Sequence, residues 1–113
     1  MTNIKAIVAN VHVDDLEKAI PLYEALSDGG SAVQFGYEDL KLAMVGSFLL
    51  IEGDMTGRPQ QAATILVESL EPVLSAIEHA GAEILEGPAE VPNGMRVQVR
   101  HPDGAVFEYL QTH

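Results

Sequence analysis

Apolar and polar positions alternate from Ile4 to Val13, with Ile7, Ala9, Val11 and Val13 on one side and Val8, Asn10 and His12 on the other. That period of two predicts a strand. Asp14-Asp15 then offers a helix cap, and Leu16 to Leu26 carries apolar residues at helical spacing. Pro21 lies inside this helix and should kink it or remove one hydrogen bond, and Asp28-Gly29-Gly30 should stop it. Three short strands are expected next, about 32–37, 40–45 and 48–52. Ala62 to Val67 then reads as a strand and Glu68-Ser69 as a cap. Leu70 to Ala80 reads as a helix closed by Gly81, followed by strands at 83–85, 95–100 and 105–111. Asn93-Gly94 and Pro102-Asp103-Gly104 have hairpin-turn composition.

The same order of elements therefore occurs twice. Shifting the chain by 54 residues lays Val13, Leu16, Glu17 and Glu24 on the identical Val67, Leu70, Glu71 and Glu78. Near the ends, Gly46-Ser47-Phe48-Leu49-Leu50 falls on Gly104-Ala105-Val106-Phe107-Glu108 at a shift of 58. The expectation is one α+β domain over residues 1–113, made of two βαβββ modules at about 1–53 and 62–113. A polar linker, about 54–61, joins them.

Two segments then carry a resemblance. Val13-Asp14-Asp15-Leu16-Glu17-Lys18-Ala19-Ile20-Pro21-Leu22-Tyr23 and His101-Pro102-Asp103-Gly104-Ala105-Val106-Phe107-Glu108 resemble the first strand-to-helix segment and the last hairpin of the vicinal oxygen chelate superfamily, the glyoxalase/bleomycin resistance/dioxygenase family. The likeness spans essentially the whole chain. It implies a cup-shaped mixed sheet with helices on its outer face, a small-molecule ligand in the cup, and a homodimer.

Enzymes of that family hold one divalent metal through His, Gln or Glu on the first and last strands of each module, and three protein ligands are the usual minimum. Carried over one at a time, those positions are Val8 and Leu50 in the first module and Ala62 and Glu108 in the second. Glu108 is the one matching metal position, so no metal and no other cofactor is expected. The chain resembles the metal-free binding members, which sequester drugs. The alternatives are a divalent-metal-dependent lyase, isomerase or dioxygenase of the same superfamily, or a metal-free enzyme with Glu108 as acid or base.

Strand alternation assigns faces. Asn10, His12 and Thr64 should share the ligand side with Arg96, Gln98 and Glu108, while Val97 and Val99 face a helix. In the first module Phe48, Leu50 and Glu52 take the corresponding places, which makes Asn10, His12, Phe48, Arg96, Gln98 and Glu108 the candidate ligand-binding residues. Plainer roles exist for several: Glu108 pairing with Arg96, Arg100 or His12; His101 as a surface turn residue; His79 at a helix C-terminus; His113 as a terminal residue.

Composition narrows the partners. The net charge of −11 repels phosphate backbones and would favour a cationic ligand. With no cysteine, thiolate chemistry and Cys-type zinc sites are excluded. The longest nearly uncharged apolar run, Leu42 to Ile51, is too short to span a bilayer. No signal peptide is recognised, so no membrane partner and a cytoplasmic protein are expected.

Overall fold

A computed structural model describes residues 2–58 and 60–112; Met1, Pro59 and His113 lie outside the described residues. The fold is α+β, and each expected βαβββ module forms. The first comprises β1 (Ile4–His12), α1 (Leu16–Leu26), β2 (Val33–Tyr37), β3 (Leu40–Val45) and β4 (Phe48–Glu52). The second comprises β5 (Ala63–Val67), α2 (Leu70–Ala80), β6 (Glu83–Val91), β7 (Gly94–Arg100) and β8 (Val106–Thr112). No helix among the described residues is long and apolar enough to cross a membrane.

The two modules order their strands alike within one eight-stranded sheet. In the first, the strand order is β2-β3-β4-β1, with β1 parallel to β4 and the other pairs antiparallel. In the second it is β5-β8-β7-β6, with β5 parallel to β8 and the rest antiparallel. Each helix covers one face. Leu16 and Ile20 of α1 pack on Ala43, Val45 and Leu50, while Leu70 and Ile77 of α2 pack on Ile65, Val67, Val97 and Val99. Val45, Leu50, Val97 and Val99 are all fully buried, as core residues at such contacts are.

Both helices start at the caps their sequences offer. Asp15 Oδ1 accepts from the Lys18 N–H and Ser69 Oγ from the Glu71 N–H. A second anchor comes from far along the chain. Glu52, at the end of β4, accepts the Leu16 N–H at 2.8 Å, and Gln111, near the end of β8, accepts the Leu70 N–H at 2.8 Å. Each thus satisfies a helix-start N–H that has no partner within the helix. α1 runs through Pro21 to Leu26, and Gly81 closes α2 in the left-handed conformation at φ 73°.

The chain divides into two compact units, Val8–Arg58 and a second made of Met1–Ile7 with Pro59–His113. The reason is a brace from the first residues to the start of α2. Asn3 Nδ2 donates to the Ser69 carbonyl at 2.9 Å, the Ser69 N–H donates to Asn3 Oδ1 at 3.0 Å, and the Glu68 N–H donates to the Asn3 carbonyl at 2.9 Å. Residues 54–58 stay with the first unit because Arg58 pairs with Glu38 at 2.6 Å and Asp39 at 3.2 Å on the β2–β3 turn.

The repeat register also needs a correction. Asn10 lies level with Leu49, and Thr64 lies level with Glu108. With Asn10 matched to Thr64 at a shift of 54, the counterpart of Glu108 is Leu49, not Leu50, and the last strands match at a shift of 59. The helix anchors Glu52 and Gln111 are separated by that same shift. The hairpin turn after Arg100 is longer than the Gly46-Ser47 turn, so an alignment fixed on its glycine slips by one residue and inverts the faces of β4.

Candidate functional site: a buried arginine network opposite α2

Side chains on the face of the second module's strands turned away from α2 form one connected polar network. Alternation along β7 sends Val97 and Val99 into the helix-side core and Arg96 and Gln98 to the other side. Glu108 lies across from Gln98 on β8, and Thr64 lies level with Glu108 on β5. Arg96, Gln98 and Thr64 are 8%, 4% and 1% exposed, so these polar groups are buried and need partners.

They have them. Arg96 Nε donates to Glu108 Oε2 at 2.5 Å, and Thr64 Oγ1 donates to Glu108 Oε1 at 2.8 Å. Arg96 Nη1 donates to Glu86 Oε1 at 2.7 Å, and Nη2 reaches Gln61 Oε1 at 3.4 Å. Gln98 Nε2 donates to the same Gln61 oxygen at 2.7 Å. Burial works against the Arg96 charge, but the carboxylates of Glu108 and Glu86 outweigh it and raise its pKa further above the usual guanidinium value. Both Glu108 oxygens are engaged, which makes it the anchor of an ion pair; the plainer role weighed for it, pairing with Arg96, is the one this geometry displays.

The other sequence-derived residues are placed as follows. Arg96, Gln98 and Glu108 come together as described. Asn10 and His12 belong to the other unit, on the face of its strands away from α1, with Asn10 half-buried and His12 exposed. Phe48 is a correction. It packs on the α1 side of the first module's strands, its ring 4.9 Å from that of Tyr23 in an edge-on contact. The one-residue slip in β4 explains the reversal, and the side chains turned away from α1 there are Leu49 and Ile51, which lie level with Asn10 and His12. His101 is not a plain surface turn residue. Its ring lies 4.6 Å from Phe107, and Nε2 is 2.9 Å from the Tyr109 hydroxyl.

Two members of the network were missed. Gln61 sits in the segment read as linker, where nothing marks one glutamine over another. Glu86 follows Leu85, at which the strand was expected to end. β6 in fact runs on to Val91 through two register shifts. A signal was present: acids at 83, 86 and 90 could flank the basic residues of β7, and Glu83 does pair with Arg100 at 2.9 Å.

The donor set does not fit the divalent metal that the resemblance would imply. A guanidinium sits against the one matching carboxylate, and Thr64 takes its other oxygen. Among the described residues no three of His, Asp or Glu converge in a metal-holding group.

No family model matches this chain. No curated protein matches it either. Among solved structures, an uncharacterized protein from Methanosarcina mazei is 35% identical, with a TM-score of 0.90 over 99% of this chain and 95% of that one. A methylmalonyl-CoA epimerase from Streptomyces coelicolor, solved as a point variant with 2-nitronate-propionyl-CoA, is 16% identical, with a TM-score of 0.71 over 97% of this chain and 94% of that one. The Mycobacterium tuberculosis methylmalonyl-CoA epimerase is 16% identical, with a TM-score of 0.63 over 99% and 89%. At those identities the epimerases share the fold. The chain belongs to the family of the Methanosarcina mazei protein, on a fold that the methylmalonyl-CoA epimerases also use.

Proposed function

We propose that this chain is a small-molecule-binding protein of the vicinal oxygen chelate superfamily, cytoplasmic and homodimeric, that works without a metal. The observation that carries the proposal is the Arg96–Glu108 pair. Where the superfamily's enzymes keep a carboxylate for a metal, this chain gives it to a buried guanidinium and a threonine hydroxyl. The network built on that pair supplies a few fixed polar groups beside apolar neighbours, the usual make-up of a small-molecule site. Arg96, Gln98 and Glu108 are its recognition groups, with Gln61, Thr64 and Glu86 as support.

An enzymatic role on the epimerase pattern is the second reading, favoured by the shared fold. One of the solved epimerases holds methylmalonyl-CoA, which makes acyl-coenzyme A thioesters sensible first compounds to screen. For Glu108 to act as a base it would have to leave Arg96 or Thr64, so this reading predicts that Glu108→Gln abolishes turnover.

Native mass spectrometry with metal analysis on the purified protein separates the two. Binding without metal predicts a dimer mass, no stoichiometric metal and a small molecule released on denaturation. Stoichiometric metal with metal-dependent turnover would overturn it.

A further inference from the structure

Glu86 stands where a one-residue insertion puts it. Along β6, Glu83 pairs with Arg100 and Ile84 with Val99, but Gln98 is then met by Glu86 rather than Leu85. Without that bulge Leu85 would occupy the Arg96 face and Glu86 would point toward α2. A second shift follows at once, so that Ala89 lies opposite Arg96. Gly87 makes it, at φ 83°, where an added Cβ would come within 2.6 Å of the Arg96 carbonyl oxygen. Bulges re-aim side chains, and here the result is a carboxylate delivered to the terminal nitrogens of a buried arginine.

The two carboxylates on Arg96 are unequal. The Glu108 side chain is 15% exposed and tied on both oxygens, whereas the Glu86 side chain is 58% exposed on an edge strand and touches only Nη1. The remaining Arg96 nitrogen, Nη2, has a contact at 3.4 Å, near the limit of a hydrogen bond. The Nη1–Nη2 edge thus carries one solvent-exposed acid and one long contact. A planar carboxylate spanning both nitrogens would make two parallel charge-assisted bonds there. More than half of the Glu86 side chain is exposed and Glu108 stays on Arg96, so water and the second carboxylate limit what is lost when Glu86 leaves.

From this, and resting on the small-molecule-binding proposal above, we propose that the terminal edge of Arg96 is a subsite for a ligand carboxylate, and that Glu86 is a built-in competitor that such a ligand displaces. The acidic balance of the whole chain argues for a cation, but that field is screened over about 8 Å in physiological salt, while the guanidinium acts at contact.

The probe is sodium propionate at fixed ionic strength, followed through the side-chain Nε–H signals of Arg58, Arg96 and Arg100 in ¹⁵N spectra. The Arg96 signal should move saturably, and Glu86→Gln should bind propionate about two- to fivefold more tightly, as expected when a largely solvated competitor is removed. In Arg96→Lys, which keeps a charge beside Glu108 but loses the fork, propionate should no longer shift the neighbouring Gln98 side-chain amide signals, which it does shift in the natural chain. Glu86→Gln binding no more tightly than the natural chain would overturn the proposal, as would a response confined to Arg58 or Arg100. A response to tetramethylammonium with none to propionate would overturn it while leaving small-molecule binding intact, and the released-ligand measurement above tests that reading separately.

Discussion

At the residue scale, Arg96 and Glu108 depend on each other. Arg96 is buried and Glu108 largely so, and the removal of Arg96 leaves the Glu108 carboxylate without its counter-charge in a poorly hydrated place. Arg96→Met should destabilise the protein by about 3–5 kcal/mol, whereas Arg96→Met with Glu108→Leu should recover most of that loss. Urea unfolding of the single and double variants checks this. Tyr109 makes a second prediction. Burial raises its pKa above the ordinary 10.0, because the neutral phenol is favoured in the fold. Its contribution is therefore fully present below pH 10 and is lost as the pH rises through the raised value. Tyr109→Phe gives up the bond with His101 at neutral pH but should flatten the decline in stability as the pH rises above 10, read from urea midpoints on either side of it.

At the element scale, each helix is held at its first turn by a side chain from the last strand of its own module. Leu16 finds its acceptor 36 residues away and Leu70 finds its acceptor 41 away. Gln111→Ala should cost about 1–2 kcal/mol, since an amide N–H at the helix start loses its acceptor. Glu52→Gln keeps the bond to Leu16 but removes a negative charge from a helix N-terminus, so it should cost only about 0.3–1 kcal/mol. The same urea series ranks the two. Glu52 and Gln111 do one job with different charge, so the amide and carboxylate are interchangeable as acceptors and differ in their response to the helix dipole.

At the scale of the whole molecule, order and periodicity along the chain revealed the two βαβββ modules, because helix and strand periods are local properties and Gly81, Asp15 and Ser69 mark ends locally. What escaped was non-local. Phe48 was put on the wrong face because the turn before β8 is longer than its counterpart, and one residue inverts a strand. β6 looked too short because Leu85 and Gly87 break its alternation, so Glu86 was lost with it. Of the network around Arg96, the half carried on regular strands was readable: Arg96, Gln98, Glu108 and Thr64. The half carried on a bulge and a linker, Glu86 and Gln61, was not. The brace from Asn3 to Ser69 was equally invisible, since nothing in a short polar N-terminal segment announces a partner 66 residues away. That brace has a consequence in time. On the ribosome Asn3 is made 66 residues before its partner Ser69. The start of β1, ahead of the residues from Ala9 to His12 that pair with β4, therefore waits for its brace through the synthesis of the first unit, and Ile4 and Ile7, exposed even in the fold, are what the nascent chain shows to its surroundings meanwhile.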